Sequence, residues 1–189
     1  RPARHILPTR EGEFGCTCLD ARYTSEFMEM RDGADFEQKT SVKPHADEFR
    51  RRELRQVKPG RQIARGTATD PYQPAERRFE VTRAILEEFA RHQGLDLGIV
   101  TKGNLILRDL DVLRQIAQNN RLTVSVTITT LNIHLARTLE TPAPRPAPRQ
   151  EALRPLSEAG GETGLHWLPV HPGIQAPPAP PASVGHTTP

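Results

Sequence analysis

Residues 66–78 read Gly66-Thr67-Ala68-Thr69-Asp70-Pro71-Tyr72-Gln73-Pro74-Ala75-Glu76-Arg77-Arg78. Pro71 and Pro74 each lack a backbone donor and fix φ, so this stretch is neither a regular helix nor a central strand. Ile63 and Ala64 precede it and a strongly amphipathic segment follows it. It therefore reads as a rigid loop at the carboxyl end of a strand, the place where α/β barrels carry their ligand-binding groups. An ordinary turn before a helix, with Pro74 near the helix start, accounts equally well for the same residues.

Working outward, Arg61 to Thr67 is a candidate strand leading into this loop. Phe79 to His92 predicts a helix, with Phe79, Thr82, Leu86 and Phe89 at i, i+3, i+7 and i+10, Ile85 alongside, and Gln93-Gly94 at its end. Leu97 to Thr101 predicts a short buried strand, with Lys102 and Asn104 just past it. A second helix is expected to start at Asp109 as its cap, with Leu110, Leu113, Ile116 and Ala117 as its apolar stripe. Leu122 to Thr130 alternates. Leu122, Val124, Val126 and Ile128 point one way, and Thr123, Ser125, Thr127 and Thr129 the other. The polar face of this strand either lines a cavity or is solvated. Leu131 to Leu139 completes the pattern as a short helix.

Strand followed by helix, repeated, predicts βα units with parallel strands. Right-handed crossovers would then put all the strand-end loops on one rim, gathering Asp70, Lys102 and the end of the Ser125 strand.

The flanks are different in character. The 189 residues include 18 prolines, hydrophobic content is 35%, and mean hydropathy is −0.59. The folded part is therefore expected to be shorter than the chain. A net charge of +3 permits weak attraction to nucleic acid without arguing for it. No apolar run is long enough for a membrane span, and no membrane partner is expected. Arg1 is not Met and no apolar signal core follows it, so the chain reads as a fragment of a longer product. The two cysteines, Cys16 and Cys18, do not make a secreted disulfide framework, and a cytoplasmic setting is the expectation.

Residues 1–35 are turn-rich around that C-x-C pair. Two thiolates do not complete a tetrahedral metal site, and neither His5 nor His45 lies at ligand spacing. Small, partly buried residues are the plainer reading of Cys16 and Cys18. Residues 36–43 allow a short strand, and 44–55 a helix with a solvated Arg50-Arg51-Arg52 face. Residues 141–149 read as a proline-rich link. Glu151 to Ala159 is a helix expected to kink or split at Pro155, because an interior proline costs about 3 kcal/mol. Leu165 to Val170 is a last apolar run. The tail from 174 to 189 is Ala/Pro-rich and expected to be disordered.

The string Gly66-Thr67, Thr69-Asp70-Pro71-Tyr72-Gln73-Pro74, Glu76 and Thr82-Arg83 resembles the radical S-adenosylmethionine (radical SAM) proteins related to spore photoproduct lyase. The resemblance runs from about Pro8 to Gly173. It takes in Asp35-Phe36-Glu37, Val42-Lys43-Pro44, Thr101-Lys102, Arg108-Asp109, Ser125-Val126, Leu139-Glu140 and Arg149. It implies a partial (βα) barrel that is incomplete after about the fifth strand. Such proteins hold a 4Fe-4S cluster with three cysteines in C-x-x-x-C-x-x-C spacing, and SAM chelates the iron left open. The reduced cluster then generates a radical that abstracts hydrogen from substrate.

By position, the resemblance places Cys16 and Cys18 at the metal. It places Thr67 and Asp70 near the methionine amino group, and Lys102 and Ser125 near ribose or carboxylate. Arg149 would pair with the carboxylate. His166 and Trp167 fall on strand positions and read as structural. The departures are specific. The first and third cysteine positions fall on Gly12 and Leu19, Cys16 alone is in register, and Cys18 lies one residue early.

Two functional expectations follow. One is a radical SAM enzyme that abstracts hydrogen from an undefined substrate, which could be nucleic acid. The other is a non-catalytic relative or fragment without the cluster. The corresponding organisation is a cluster-loop region over 1–35, a partial barrel over 36–173 and a tail over 174–189.

Overall fold

The computed structural model describes residues 51–66, 70–140 and 143–166, and the backbone of 9–10 and 41–42. Cys16, Cys18, Thr67, Trp167, His5, His45, most of the 1–35 region, the start of the 44–55 helix and the 174–189 tail lie outside the described residues. Strand β1 (Thr9–Arg10) pairs antiparallel with β2 (Ser41–Val42), within the stretch where a short strand was expected. Residues 51–54 are helical.

A parallel sheet forms the body: β3 (Gln62–Arg65), β4 (Asp96–Thr101), β5 (Arg121–Thr127) and β6 (Glu162–His166), in that spatial order. All three pairings are parallel. Between the strands run α1 (Glu76–Phe79), α2 (Val81–Ala90), a 3-10 turn over Asn104–Asp109, α3 (Leu110–Asn119), α4 (Ile133–Leu139) and α5 (Pro146–Glu158). Strand order that follows chain order, with right-handed crossovers, puts the connecting helices on one face. The architecture is thus the parallel βα sheet that the periodicity predicts. Closure into a barrel is not seen among the described residues, where β3 and β6 are the sheet's edges.

The core lies between the sheet and the helices. Ile63, Leu97, Ile99, Leu122, Val124 and Val126 pack there with Ile85, Leu86, Phe89, Leu113, Ile116, Ala152 and Leu156. Each such large side chain contributes about 1.5–3 kcal/mol by leaving water, before the entropy of ordering it. The opposite face carries small, half-buried residues in register: Ala64, Gly98 and Thr123 in one row, Val100, Ser125 and Gly164 in the next. The polar side of the β5 alternation therefore points away from the helices.

Four local expectations need correction. The single helix over Phe79–His92 is two helices, because Glu80 sits at φ +49 and breaks the ladder. Phe79 consequently leaves the apolar stripe and is 47% exposed. Asp109 makes no cap bond to α3; it is buried and binds Arg83 and Arg108 instead. The proline-rich link is shorter than its composition implies, since Pro146 and Pro148 sit in the first turn of α5, where N–H groups have no helical partner anyway. That helix also runs through Pro155. Burial of Ala152 and Leu156 on either side of it outweighs the lost hydrogen bond.

Gly66 adopts φ +86, and a Cβ there would lie 1.9 Å from the Val100 carbonyl oxygen. Gly60 adopts φ +76 with open space around it. Gly60→Ala is expected to cost only the left-handed strain, about 1–2 kcal/mol. Gly66→Ala adds a backbone clash and should cost about 2–4 kcal/mol. Urea unfolding midpoints of the two variants check this; equal losses would show that the Gly66 contact does not constrain the loop.

Candidate functional site

Three buried or half-buried carboxylates organise the carboxyl-end rim of the sheet. The first is Asp70. Its Oδ1 accepts from the Tyr72 N–H at 2.8 Å and from Thr101 Oγ1 at 2.6 Å, and its Oδ2 accepts from the Lys102 N–H at 2.6 Å. The loop after β3 is thereby tied to the end of β4. The backbones approach closely enough that a Cβ on Gly103 would lie 2.8 Å from the Tyr72 carbonyl oxygen. Burial pushes the Asp70 carboxyl up from its ordinary value, and the bonds from Lys102, Thr101 and Tyr72 offset part of that rise.

The second is Glu76. Its carboxylate accepts from the N–H groups of Thr82, at 2.9 and 3.0 Å, and of Arg83 at 3.3 Å, so it caps the start of α2 from within α1. Arg108 binds the same carboxylate at 3.0 Å and the Asp109 carboxylate at 2.8 Å. Arg83 joins Asp109 at 3.1 Å and Asp111 at 2.7 Å. Thr82 Oγ1 donates to the Pro71 carbonyl at 2.5 Å. These bonds compensate for the left-handed backbone at Glu80, which no glycine relieves. Burial, with the nearby Asp109 charge adding to it, pushes the Tyr72 phenol well above its ordinary value. The side-chain amide of Gln73 is buried and has no hydrogen-bond partner among the described residues.

The third is Glu140, and it brings two of the expected site residues together. Lys102 Nζ lies 2.6 Å from Glu140 Oε1, and Arg149 Nη2 lies 2.9 Å from Oε2. Thr129 Oγ1 donates to Oε1 at 2.5 Å. Arg149 also donates to the carbonyls of Pro144 at 2.8 Å and Thr127 at 3.1 Å. Burial alone would raise the Glu140 carboxyl. The Lys102 and Arg149 charges and the bonds from Lys102 and Thr129 outweigh it, and the carboxyl is held below its ordinary range.

Of the residues anticipated from sequence, Lys102 and Arg149 meet through Glu140. Asp70 is already occupied by three donors within the rim. Ser125 stands on the sheet face away from the helices. Thr67 lies outside the described residues, as do Cys16 and Cys18. The reading from sequence assigned no role to Glu140, Glu76 or Thr129. The signals for Glu140 were its place directly after a short helix, which resembles ordinary surface charge, and the match of Leu139-Glu140 to the family pattern, which carried no role. Among the described residues there is no group of three or more His, Cys, Asp or Glu arranged to hold a metal ion. No helix among them is long and apolar enough to cross a membrane.

Glu140→Gln should be strongly destabilising, because it leaves Lys102 and Arg149 facing a neutral partner; breaking a buried pair costs about 3–5 kcal/mol. The folded-state pKa of Glu140 is lowered, so its stabilisation is fully present above the unfolded value of about 4.3 and is lost as pH falls through the folded value. The stability gap between wild type and Glu140→Gln should thus be constant near neutrality and narrow below about pH 4. Denaturant titrations across pH check this; a gap that widens on acidification would contradict the assignment.

No family model matches the chain. An uncharacterized protein of Mycobacterium bovis is 34% identical over 175 residues, covering 92% of this chain and 51% of its own length. An uncharacterized protein of Methanocaldococcus jannaschii is 30% identical over 112 residues, covering 59% of this chain and 41% of its own. Among solved structures, spore photoproduct lyase complexed with dinucleoside spore photoproduct superposes with a TM-score of 0.61 at 13% identity, covering 89% of this chain and 46% of that one. A double mutant of that lyase with bound AdoMet and dinucleoside spore photoproduct gives 0.60 at 13%, covering 85% and 44%. The chain therefore shares the fold of spore photoproduct lyase, and it spans about half the length of the curated relatives it matches.

Proposed function

We propose that this chain is a radical SAM-type scaffold related to spore photoproduct lyase, and that its strand-end rim binds S-adenosylmethionine. The observation that carries the reading is the Lys102–Glu140–Arg149 cluster at the carboxyl ends of β4 and β5, on a sheet that superposes on a protein solved with AdoMet.

The donor set suits the ligand. A zwitterionic amino acid needs a cation for its carboxylate and an acceptor for its ammonium. Lys102, 18% exposed, is the accessible cation, and its Nζ supplies up to three donors. Glu140, 1% exposed and already bonded by Lys102, Arg149 and Thr129, fixes where the Lys102 ammonium points. Arg149, 1% exposed and bonded to two carbonyls, supports Glu140 from behind; this replaces the direct carboxylate role anticipated for it. Asp70 positions the Lys102 backbone and acts on the ligand through that residue. Ser125 and Thr67 are proposed for the ribose and amino-group sides. The Gln73 amide on the loop after β3, buried and without a partner among the described residues, is a further polar group for a ligand to satisfy, and such buried groups carry a cost of about 1–3 kcal/mol when unsatisfied.

The 4Fe-4S cluster does not fit the same test. When bound, such a cluster supplies the electron that opens the SAM sulfonium, and it takes three thiolate ligands. This chain has Cys16 and Cys18, and the described residues contribute no metal-holding group. The substrate class proposed for a cluster-bearing form is nucleic-acid-derived, on the likeness to a lyase solved with a dinucleoside.

Isothermal titration with S-adenosylmethionine should give saturable binding in the wild type. Lys102→Ala should weaken it about ten-fold or more, the equivalent of one charge-assisted bond. Anaerobic iron and sulfide reconstitution should leave the wild type well short of four irons per chain, and Gly12→Cys with Leu19→Cys should raise iron uptake. No saturable binding, or binding indifferent to Lys102, would falsify the SAM reading. Four irons in the wild type with 5′-deoxyadenosine formed on reduction would instead establish an active radical enzyme with a ligand from elsewhere in the chain.

A further inference from the structure

Strand β6 (Glu162–His166) has one edge paired with β5 and the other open among the described residues. The His166 carbonyl accepts from the Ile128 N–H at 3.0 Å, so the backbone groups of His166 face β5. Backbone direction alternates along a strand, so Glu162 and Gly164 face β5 as well. The N–H and C=O groups of Thr163 and Leu165 therefore point to the open edge. Such an edge is a template for another strand, and β6 carries no proline or lysine to blunt it. Leu165 is in register with Val126, which puts both on the helix side of the sheet. Val126 is buried there, whereas Leu165 is 45% exposed. Glu162, Gly164 and His166 lie on the other face, in register with Thr123, Ser125 and Thr127.

The strand is complementary to itself. Two copies laid antiparallel about a twofold axis at Gly164 pair every residue of β6: Glu162 with His166, Thr163 with Leu165, and Gly164 with its own counterpart. Centring the axis on Thr163 or Leu165 leaves part of the strand unpaired. The Gly164 register also meets the backbone requirement. Thr163 and Leu165, whose groups point outward, become the hydrogen-bonded pairs, and Gly164 falls on a non-bonded pair, where Cα atoms approach to about 4.5 Å. The charges agree as well. Each Glu162 carboxylate lies across from the imidazole of His166 in the second copy, and opposite charges directly across a ladder stabilise it. Arg121 bonds Glu162 at 3.2 Å, but both are 62% exposed, so the carboxylate keeps room for another donor.

We propose that the open edge of β6 is a self-association surface, where two copies of this chain pair antiparallel about Gly164 and join their sheets into one. Such a contact is isologous and closes at two copies. A five-residue edge buries little area, so the dimer is weak and concentration-dependent. The surface uses none of Asp70, Lys102, Glu140 or Arg149, so it stands apart from the SAM reading.

The test is sedimentation velocity of the 189-residue chain. Between about 1 μM and about 1 mM, at about pH 6 where an ordinary histidine is largely charged, it should show a reversible monomer–dimer equilibrium. Leu165→Pro removes an outward N–H that β5 does not use, and proline is tolerated at a sheet edge. That variant should keep a urea midpoint near that of the wild type and lose the dimer. His166→Glu sets a carboxylate opposite Glu162 and should weaken the dimer about ten-fold. Adding Glu162→Lys to His166→Glu should recover most of the affinity, because each pair is again opposite in charge. A chain that stays monomeric throughout overturns the proposal, as does a dimer that survives Leu165→Pro. A dimer indifferent to both charge variants pairs in some other way and overturns it too.

Discussion

The Asp70 carboxylate holds the rim of this protein together. It accepts from its own loop, at the Tyr72 N–H, and from the end of the next strand, at Thr101 and the Lys102 N–H. The first loop carries Pro71 and Pro74 and the second Gly103. Without that carboxylate, two backbone donors and the Thr101 hydroxyl would lose their acceptor, each at a cost of about 1–3 kcal/mol where it is left buried and unpaired. The close approach of the loops is possible because Gly66 and Gly103 have no Cβ to collide with Val100 and Tyr72. Once Lys102 is fixed at its backbone, its side chain reaches Glu140, and Glu140 in turn fixes Arg149.

The same device recurs at Glu76 and at Glu140. Glu76 caps α2 and gathers Arg108 and, through Asp109, Arg83. Glu140 closes the β5 side with Thr129, Lys102 and Arg149. Charges buried in this way are stable only as complete sets, because removing one member strands the others in a low-dielectric place. They make a stiff rim, and stiffness is what a ligand-binding rim requires: donors already aimed spare the ligand the cost of ordering them. The sheet face away from the helices carries the small side chains of Ala64, Gly98, Ser125 and Gly164.

Much of the scaffold was legible beforehand. The period-two alternation from Leu122 onward and the helical spacing of Leu113 and Ile116 gave the right elements, because each reports only on which side of its own element is buried. Asp70 and Lys102 were correctly gathered on one rim, since right-handed crossovers put the strand ends on the same side. The helix break at Glu80 was not legible. The spacing of Phe79 with Thr82 fits an unbroken helix, and the break depends on a carboxylate that takes the N–H groups of α2. Composition misled at Pro146 to Arg149, where prolines that look like a linker occupy the one helical turn that tolerates them.

What the sequence determined alone was therefore local: strand or helix, which face is apolar, and the order of βα units, all set by short-range sterics and the period of hydrophobic residues. The parallel order and the shared rim followed from handedness. Which charges meet was decided only by the tertiary structure. Lys102, Glu140 and Arg149 come from the ends of different elements, and their contact depends on the register of β4 against β5 and on the path of the chain into α5. No local pattern encodes that register, because a charged residue at the end of an element looks the same in sequence whether it is solvated or buried against an opposite charge.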